Sequence, residues 1–423
     1  MSEPSEWEVV VIGAGAAGML AATHAASRGT RTLLLEKNRK LGAKILISGG
    51  TRCNITHHTD IAGIVAAFTK RQGQFLRSAL AVLPPQALIE LIEREGVPTK
   101  VEETGKIFPV SDRALDVRDA LVRLLRRSDC QIRSGVPVLR IDRETNGFRL
   151  ELPDGQILAP SIIIACGGQS YPGCGTTGDG YGWAQQLGHS IVTPVPALTP
   201  IHSPDAWVRE LSGITLPDAA LTVADRRSYT GAPSTLKKAA LADRRASLLF
   251  THFGLSGPAA LDVSRAITRS PATSDLVLVA NFTPGQPYEN CLQRLREEVR
   301  REGKRQISSL LAEFVPRRLA LALLELGHVD PARKLAELSK RDQTQLAASL
   351  TKCPLNVSGT GGFRKAEVTA GGVALDEVNS KTMESKLVPG CFFAGEVLDI
   401  DGPIGGYNFQ AAFSMGWLAG GNV

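Results

Sequence analysis

Val9-Val10-Val11-Ile12 runs without a break into Gly13-Ala14-Gly15-Ala16-Ala17-Gly18, and Met19, Leu20, Ala21, Ala22 and Ala25 follow. The β-branched apolar run reads as a buried strand, the glycines as a tight loop, and the small apolar residues after them as a helix. In that setting each glycine has a task. Gly13 permits the turn, Gly15 lets backbone approach a pyrophosphate, and Gly18 lets the helix lie close on the strand. The helix start, at Ala16 and Ala17, offers free N–H groups and a positive dipole end to phosphate. A second apolar run, Thr32-Leu33-Leu34-Leu35, ends at Glu36, 18 residues past Gly18. That spacing suits a carboxylate that holds ribose hydroxyls. The sequence therefore predicts a β-α-β dinucleotide site beginning at residue 9; the competing reading is a glycine turn in an ordinary α/β unit.

The chain alternates in character beyond residue 36. Residues 37–56 contain Lys37, Lys44 and Ser48-Gly49-Gly50-Thr51-Arg52-Cys53-Asn54. This stretch is too polar and glycine-rich for an element interior and reads as a loop, where sites are commonly placed. Helical spacing recurs over 62–68, 74–83, 85–95 and 116–127, with a short strand at 106–109. Residues 131–164 read as a β-meander with turns at Asn146-Gly147 and Asp154-Gly155. It closes on Ile162-Ile163-Ile164-Ala165-Cys166-Gly167-Gly168, a buried strand running into a second glycine turn. A further glycine loop, with Gly178 and Asp179, leads into a helix at 181–187.

Proline-rich sequence after Ile191 marks a change. Residues 196–283 hold short β-rich pieces and 286–350 hold periodic Leu and Ala between charges, so 191–355 is expected to be one insertion. Its predicted parts are a β-barrel over 191–285 and a helical domain over 286–355. The chain then returns to the first pattern, with a strand into Gly371-Gly372, another into Gly395-Glu396, and Gly405-Gly406-Tyr407-Asn408 opening a small-residue helix. Residues 1–190 and 356–423 are thus expected to share one sheet.

Charge is unevenly spread. Residues 191–355 carry 22 Lys and Arg against 16 Asp and Glu, which accounts for the whole net charge of +6. Two readings stay open: a polyanionic partner such as RNA, or a solvated Arg-rich helical face. Seven scattered cysteines without a C-x-x-C argue for a reducing, cytoplasmic protein with neither disulfides nor a metal site. The polar, acidic residues 1–8 do not read as a signal peptide, and no apolar run is long enough to span a membrane. Oligomeric state is open between monomer and homodimer.

Several motifs coincide with those of one family. They are the Gly13–Gly18 loop, the Ser48–Asn54 stretch, Phe250-Thr251-His252-Phe253-Gly254-Leu255-Ser256-Gly257-Pro258, Thr382-Met383-Glu384-Ser385-Lys386, and the stretch from Gly395 to Asn408. The chain resembles the BaiN/RdsA-type family of NAD(P)/FAD-dependent oxidoreductases along nearly its whole length. It departs from the usual pattern at Thr51, where a third glycine is common, and at Cys166, where Thr is common. The resemblance implies an α/β, Rossmann-like, glutathione-reductase-type FAD-binding domain with an inserted β-barrel and α-helical domain. Family members are described as aminoacetone oxidases, bile-acid enone reductases or dihydrouridine synthases acting on large-subunit ribosomal RNA. A small molecule and rRNA therefore both stand as substrate, with reduction of an activated C=C by reduced flavin as the expected chemistry.

An extended FAD needs glycine turns far along the chain, and Ala165 with Gly167-Gly168, Gly395-Glu396 and Gly405-Gly406 supply them. Only one full G-x-G-x-x-G is present, so NAD(P)H is expected to act as a transient reductant. Glu36 is expected to hold the adenosine ribose, Val138 to meet adenine through its backbone, and Asp401 (or Asp399) to meet the ribityl chain or pyrophosphate. Lys37, Lys44, Ser48, Gly49, Arg52, Asn54, Gly178 and Asp179 are expected around the flavin and its phosphates. The helix from Tyr407-Asn408 can face the flavin pyrimidine edge, where negative charge develops on reduction. Cys53, beside Arg52 and Lys44, is the candidate acid with a lowered pKa, or else an apolar filler against the flavin. His252 either faces substrate or caps a turn.

Overall fold

The computed structural model describes residues 7–231 and 233–423. The chain forms two compact units, residues 1–196 with 366–423, and residues 197–365.

The first unit opens with β1 (Val9–Ile12), α1 (Ala16–Ser27) and β2 (Thr32–Glu36), all three nearly buried throughout. Residues 43–51, expected as loop, form a helix, α2 (Ala43–Thr51). The reason is local: Gly42 supplies the left-handed entry and Ile45 is buried, so one turn gains a core contact. The turn then breaks at Ser48, whose ψ of 151° is extended, and at Gly49 and Gly50, both with positive φ. Next come β3 (Thr56–His57), α3 (Ile61–Ala67), α4 (Lys70–Val82), α5 (Pro85–Arg94), β4 (Thr99–Val101), β5 (Lys106–Pro109) and α6 (Ala114–Arg127). The strands β3, β5 and β4 make a small antiparallel sheet.

After β6 (Gln131–Ser134) the predicted meander appears as β7 (Arg140–Glu144), β8 (Gly147–Leu152) and β9 (Gly155–Ala159). Burial alternates along β8, as in a sheet with one wet face. The chain continues through β10 (Ser161–Ile164), α7 (Asp179–Gln186) and β11 (Ile191–Ala197).

The second unit comprises β12 (Ile201–His202), α8 (Ala206–Glu210), β13 (Thr215–Asp225), α9 (Pro233–Ala239), β14 (Ala240–Thr251), β15 (Gly254–Ser256), α10 (Gly257–Thr268) and β16 (Leu276–Asn281). The helices α11 (Tyr288–Arg301), α12 (Ile307–Leu311), α13 (Arg317–Leu326) and α14 (Lys340–Thr351) follow, then β17 (Cys353–Leu355), β18 (Gly359–Thr360) and α15 (Gly362–Lys365). Seven strands line up as β17-β16-β13-β14-β15-β12-β18. The two edge strands, β17 and β18, are joined by only residues 356–358. Three residues span roughly 10–14 Å, so the sheet must curl until its edges meet. The β and helical parts share one apolar core, which includes Phe250, Leu278, Leu295, Leu319 and Leu346. The compact unit begins at Ala197 and ends at Lys365, whereas 191–355 was expected; β11 pairs with a strand of the first unit.

The chain closes the first unit with β19 (Val368–Val373), β20 (Cys391–Phe393) and α16 (Tyr407–Gly420). The central parallel sheet runs β20-β10-β1-β2-β6, with Val9 opposite Ser161 on one side and Thr32 on the other. Such a sheet is covered on both faces, which explains the unbroken apolar runs. Helix α16 lies against α1 at backbone distance. A Cβ at Gly416 would sit 2.1 Å from Ala17 O, and one at Gly420 would sit 2.1 Å from Ala21 O.

Candidate functional site

The loop between β1 and α1 has the form its glycines dictate. Gly13 adopts φ +100°, and a Cβ there would lie 2.7 Å from Cys166 Cα. A Cβ on Gly18 would lie 1.7 Å from Gly13 O, so helix and turn are in direct backbone contact. A Cβ on Gly15 would meet nothing within 4 Å. Open space therefore lies over the very residue whose backbone must approach a phosphate. Helix α1 begins here without a side-chain cap, leaving its first N–H groups for a ligand.

Glu36, buried at the end of β2, sets one boundary of this cradle. Its Oε2 accepts from Ala14 N at 2.7 Å, and its Oε1 accepts from Asn38 N at 2.8 Å and Asn38 Nδ2 at 2.9 Å. Asn38 was not foreseen; its Nδ2 also reaches Cys174 O at 3.1 Å. The segment leading to Val138 is tied to the same corner, with Val136 N donating to Glu36 O and Gly135 N to Asn38 O. Lys37 turns to Asp179 Oδ2 at 2.5 Å and Thr177 Oγ1 at 2.6 Å, so it fastens the Gly178–Asp179 loop.

Four distant segments meet at Glu396. Its Oε2 lies 2.6 Å from Lys44 Nζ, and its Oε1 accepts from Ser170 Oγ at 2.6 Å and Thr369 N at 2.9 Å. Lys44 also donates to Ser170 Oγ at 2.6 Å. Thr369 Oγ1 accepts from Gln169 N and Ser170 N. A Cβ on Gly168 would sit 2.5 Å from Thr369 Oγ1, so only glycine fits beside this network. The sequence signalled Lys44, Gly168 and Glu396 separately. Ser170 and Thr369 carried no signal, since single hydroxyls in a strand or loop have none.

The Ser48–Asn54 stretch is strained. Thr51 (φ 68°) and Cys53 (φ 62°) are left-handed without being glycine, at about 1–3 kcal/mol each. Cys53 is fully buried, and that burial pushes its thiol up to about 12 although Ser48 hydrogen-bonds to it. The expected lowering of this thiol is therefore corrected. Its two supposed activators are engaged elsewhere: Lys44 by Glu396, and Arg52 by Glu102 at 2.6 Å and Asp112 at 3.5 Å. The Arg52 guanidinium lies 4.0 Å over the Phe108 ring, pinning the stretch to β5 rather than reaching for phosphate.

Asn54 clamps the other end of the site. With its amide oriented to satisfy all neighbours, its oxygen accepts from Gly406 N at 2.9 Å and its nitrogen donates to Thr56 O at 3.0 Å. A Cβ on Gly406 would lie 2.5 Å from Thr56 O. The Gly405–Gly406 turn thus delivers α16 with no side-chain cap at its start. Asn408 turns back to Gly402, through N at 2.8 Å and O at 3.0 Å. His57, which the sequence did not single out, places Nδ1 3.1 Å from Gly405 O and stacks on Tyr407 at 4.7 Å. Buried Asp401 accepts from Gln72 Nε2 at 3.2 Å, and Asp399 Oδ1 accepts from Gly371 N at 3.1 Å.

His252 belongs to the second unit, exposed in the turn between β14 and β15. No group of three or more His, Cys, Asp or Glu converges on a metal position among the described residues. No single helix among them is long and apolar enough to cross a membrane.

These residues fit FAD. The open cradle at Gly15, the uncapped α1, the oriented Glu36 carboxylate and the uncapped α16 are what an extended flavin dinucleotide requires. Fold and site together define a flavoenzyme oxidoreductase of Rossmann type. The chain belongs to the HI0933-like family, whose profile, described as "HI0933-like protein Rossmann domain", matches residues 7–422. It is 34% identical over 414 residues to the ribosomal RNA dihydrouridine synthase of Escherichia coli K12, covering 97% of this chain and 96% of that one. It is 29% identical over 413 residues to the 3-dehydro-bile acid delta(4,6)-reductase of Clostridium scindens, covering 97% of each. Among solved structures, the open conformation of a flavocytochrome c3 fumarate reductase matches with a TM-score of 0.50 at 17% identity, over 100% of this chain and 78% of that one. That likeness concerns fold alone.

Proposed function

We propose that this protein reduces an activated C=C, with uridine of large-subunit rRNA as the substrate and dihydrouridine as the product. The observation that carries this reading is the 34% identity to an rRNA dihydrouridine synthase along 97% of the chain. Charge supports it. Residues 197–365 hold 24 Lys and Arg against 16 Asp and Glu, a net +8, and the rest of the chain holds 24 against 26. A basic body of this kind suits a phosphate backbone, with affinity that falls steeply as salt rises.

FAD, when bound and reduced by NAD(P)H, would supply a hydride to one carbon of the C=C, and a proton from solvent would complete the other. The protein's own residues hold and tune it. The α1 amides and Gly15 receive the pyrophosphate, and Glu36 receives the ribose. The α16 N-terminus stabilises negative charge on the reduced pyrimidine ring by about 0.3–1 kcal/mol, and up to ~2 kcal/mol where partly buried. Cys53, neutral and enclosed, fills space beside the strained turn, and this reading does not need it as the acid.

A second reading has its own support: the 29% identity to a bile-acid reductase covers the chain just as fully. In that case the same flavin site serves a small enone. The test is anaerobic reduction of the yellow protein with NADPH, followed by titration with large-subunit rRNA transcript. Reoxidation of the flavin with dihydrouridine in the RNA is the expected result. A flavin that stays reduced with RNA and is reoxidised by a small enone overturns the RNA reading.

A further inference from the structure

The second unit contains a ring cluster that the function above leaves unused. Phe253, in the turn between β14 and β15, has the His252 ring edge-on at 5.0 Å and the His202 ring tilted at 5.3 Å. His202 comes from β12, some fifty residues earlier in the chain. Ser203 N donates to Phe253 O and joins the two segments. His252 is exposed, and Phe253 and His202 are half-buried. Neither imidazole has a hydrogen-bond partner among the described residues.

The strands beside His202 place glycine directly opposite it. His202 pairs with Gly254 on one side and Gly359 on the other. No side chain therefore flanks the imidazole at its own register. A Cβ at Gly359 would meet nothing within 4 Å, and one at Gly254 would strike Ile201 O at 2.3 Å. Both glycines have positive φ, at +153° and +145°, so the bare backbone is built in. The outcome is three neighbouring rings, two of them with free nitrogens, and no side chain directly opposite His202 on either adjoining strand.

We propose that His202, Phe253 and His252 form a stacking platform for an unpaired pyrimidine base of single-stranded RNA. Three properties of the cluster match this occupant. Phe and His rings offer flat faces on which bases stack. An imidazole nitrogen donates in one tautomer and accepts in the other, matching the alternating C=O and N–H edge of uracil. The unit that carries the cluster is net +8, which complements a phosphate backbone. The platform rests on the RNA reading of the function, and gives that reading a base-holding element.

The experiment uses the full FAD-loaded protein with a short oligouridylate and an abasic strand of equal length. The wild-type protein is expected to bind the base-bearing strand more tightly, by about tenfold, the scale of one base stacked on an aromatic ring. His252→Ala, a change at an exposed position, and Phe253→Leu, which keeps an apolar side chain, should each reduce that preference. Combined with His202→Ala they should abolish it. Affinity for the abasic strand should be unchanged, since phosphate contacts remain. A wild-type protein without the preference, or variants that retain it in full, overturns the platform. If the preference and its loss are seen but rRNA never yields dihydrouridine, the functional reading fails while the platform stands. If rRNA is reduced and no preference exists, only the platform fails.

Discussion

Lys44 Nζ lies 2.6 Å from Glu396 Oε2, joining the first turn of α2 to the strand end after β20 across 352 residues of sequence. Their side chains are 22% and 18% exposed, so the pair is partly shielded and each charge depends on the other. Ser170 bridges the two, and Thr369 holds the second carboxylate oxygen. The ion pair thus fixes α2, with its strained Ser48–Asn54 stretch, against the glycine turns of β10 and β20. Lys44→Met and Glu396→Gln should each lose a charge-assisted hydrogen bond and cost about 1.5–3 kcal/mol. On the proposed placement of FAD beside this contact, FAD should be released more readily, with its Kd raised about tenfold or more. Retention of FAD through gel filtration at wild-type level in both variants would sink the idea.

Two glycines of the first loop should behave differently. A Cβ on Gly18 collides with Gly13 O in the protein itself, whereas a Cβ on Gly15 points into space free of protein. Gly18→Ala should therefore lower the thermal stability of the FAD-free protein, by about 1–3 kcal/mol for an overpacked contact. Gly15→Ala should leave the FAD-free protein near wild type and weaken FAD binding, since the new methyl occupies the approach to the pyrophosphate. Equal thermal shifts in the two FAD-free variants would contradict the assigned roles.

The thiols predict an alkaline limit to stability. Burial pushes Cys53, Cys130, Cys166 and Cys353 up to about 12. Below about pH 8.5 these thiols are protonated in folded and unfolded chains alike. Above it the unfolded chain loses protons first, so folding stability falls as pH rises towards 12, by about 1.4 kcal/mol per pH unit for each thiol. Urea unfolding at a series of pH values between 8 and 11 should show this decline, and Cys53→Ala should make it shallower. The same variant should keep turnover within about tenfold once loaded with FAD, because removing the thiol leaves a small cavity rather than a missing acid. A collapse of turnover with flavin content intact would restore Cys53 as the proton donor.

The strand–glycine–helix core was legible because a covered parallel sheet demands unbroken apolar runs and the phosphate loop demands glycine at fixed spacing. Val9–Ile12, Ile162–Ile164 and Phe392-Phe393 carry that pattern in plain view, and they lie on adjacent strands. The stretch containing Lys44 was less legible. Its polarity argued for a loop, yet a single buried Ile45 suffices to hold one helical turn. Pairing was the least legible feature. Lys44, Arg52 and Cys53 are close in sequence and suggested a thiolate with two cations. In space each cation faces a carboxylate from elsewhere, Glu396 or Glu102, and sequence proximity carries no record of that. The same limit hid His57 against Gly405 and His202 against Phe253, since both contacts join segments far apart in the chain.

His189 offers a test at acid pH. Its side chain is fully enclosed, with Nδ1 3.1 Å from Glu377 Oε2 and Nε2 2.8 Å from Ser385 Oγ. Ser385 Oγ in turn accepts from Val388 N at 2.8 Å, so this imidazole ties the turn between α7 and β11 to the segment before β20. Burial lowers the pKa of His189, and the hydrogen bond to Glu377 opposes that only in part. Glu377 is itself held below the usual carboxylate range; burial works against this, but hydrogen bonds from Ser190 and then His189 prevail. A histidine depressed in the folded state contributes stability that is present above its unfolded pKa, about 6.5, and is lost as pH falls below it. Thermal stability should therefore drop between pH 7 and pH 5. His189→Gln cannot take up that proton, and should flatten the drop. At pH 8 it should be less stable than wild type by about 1–3 kcal/mol, because one of the two partners is left without a good hydrogen bond. Thermal unfolding at pH 5.5, 6.5 and 8 reads both effects. An acid slope identical in the variant and the wild type would show that this imidazole is not the group that titrates.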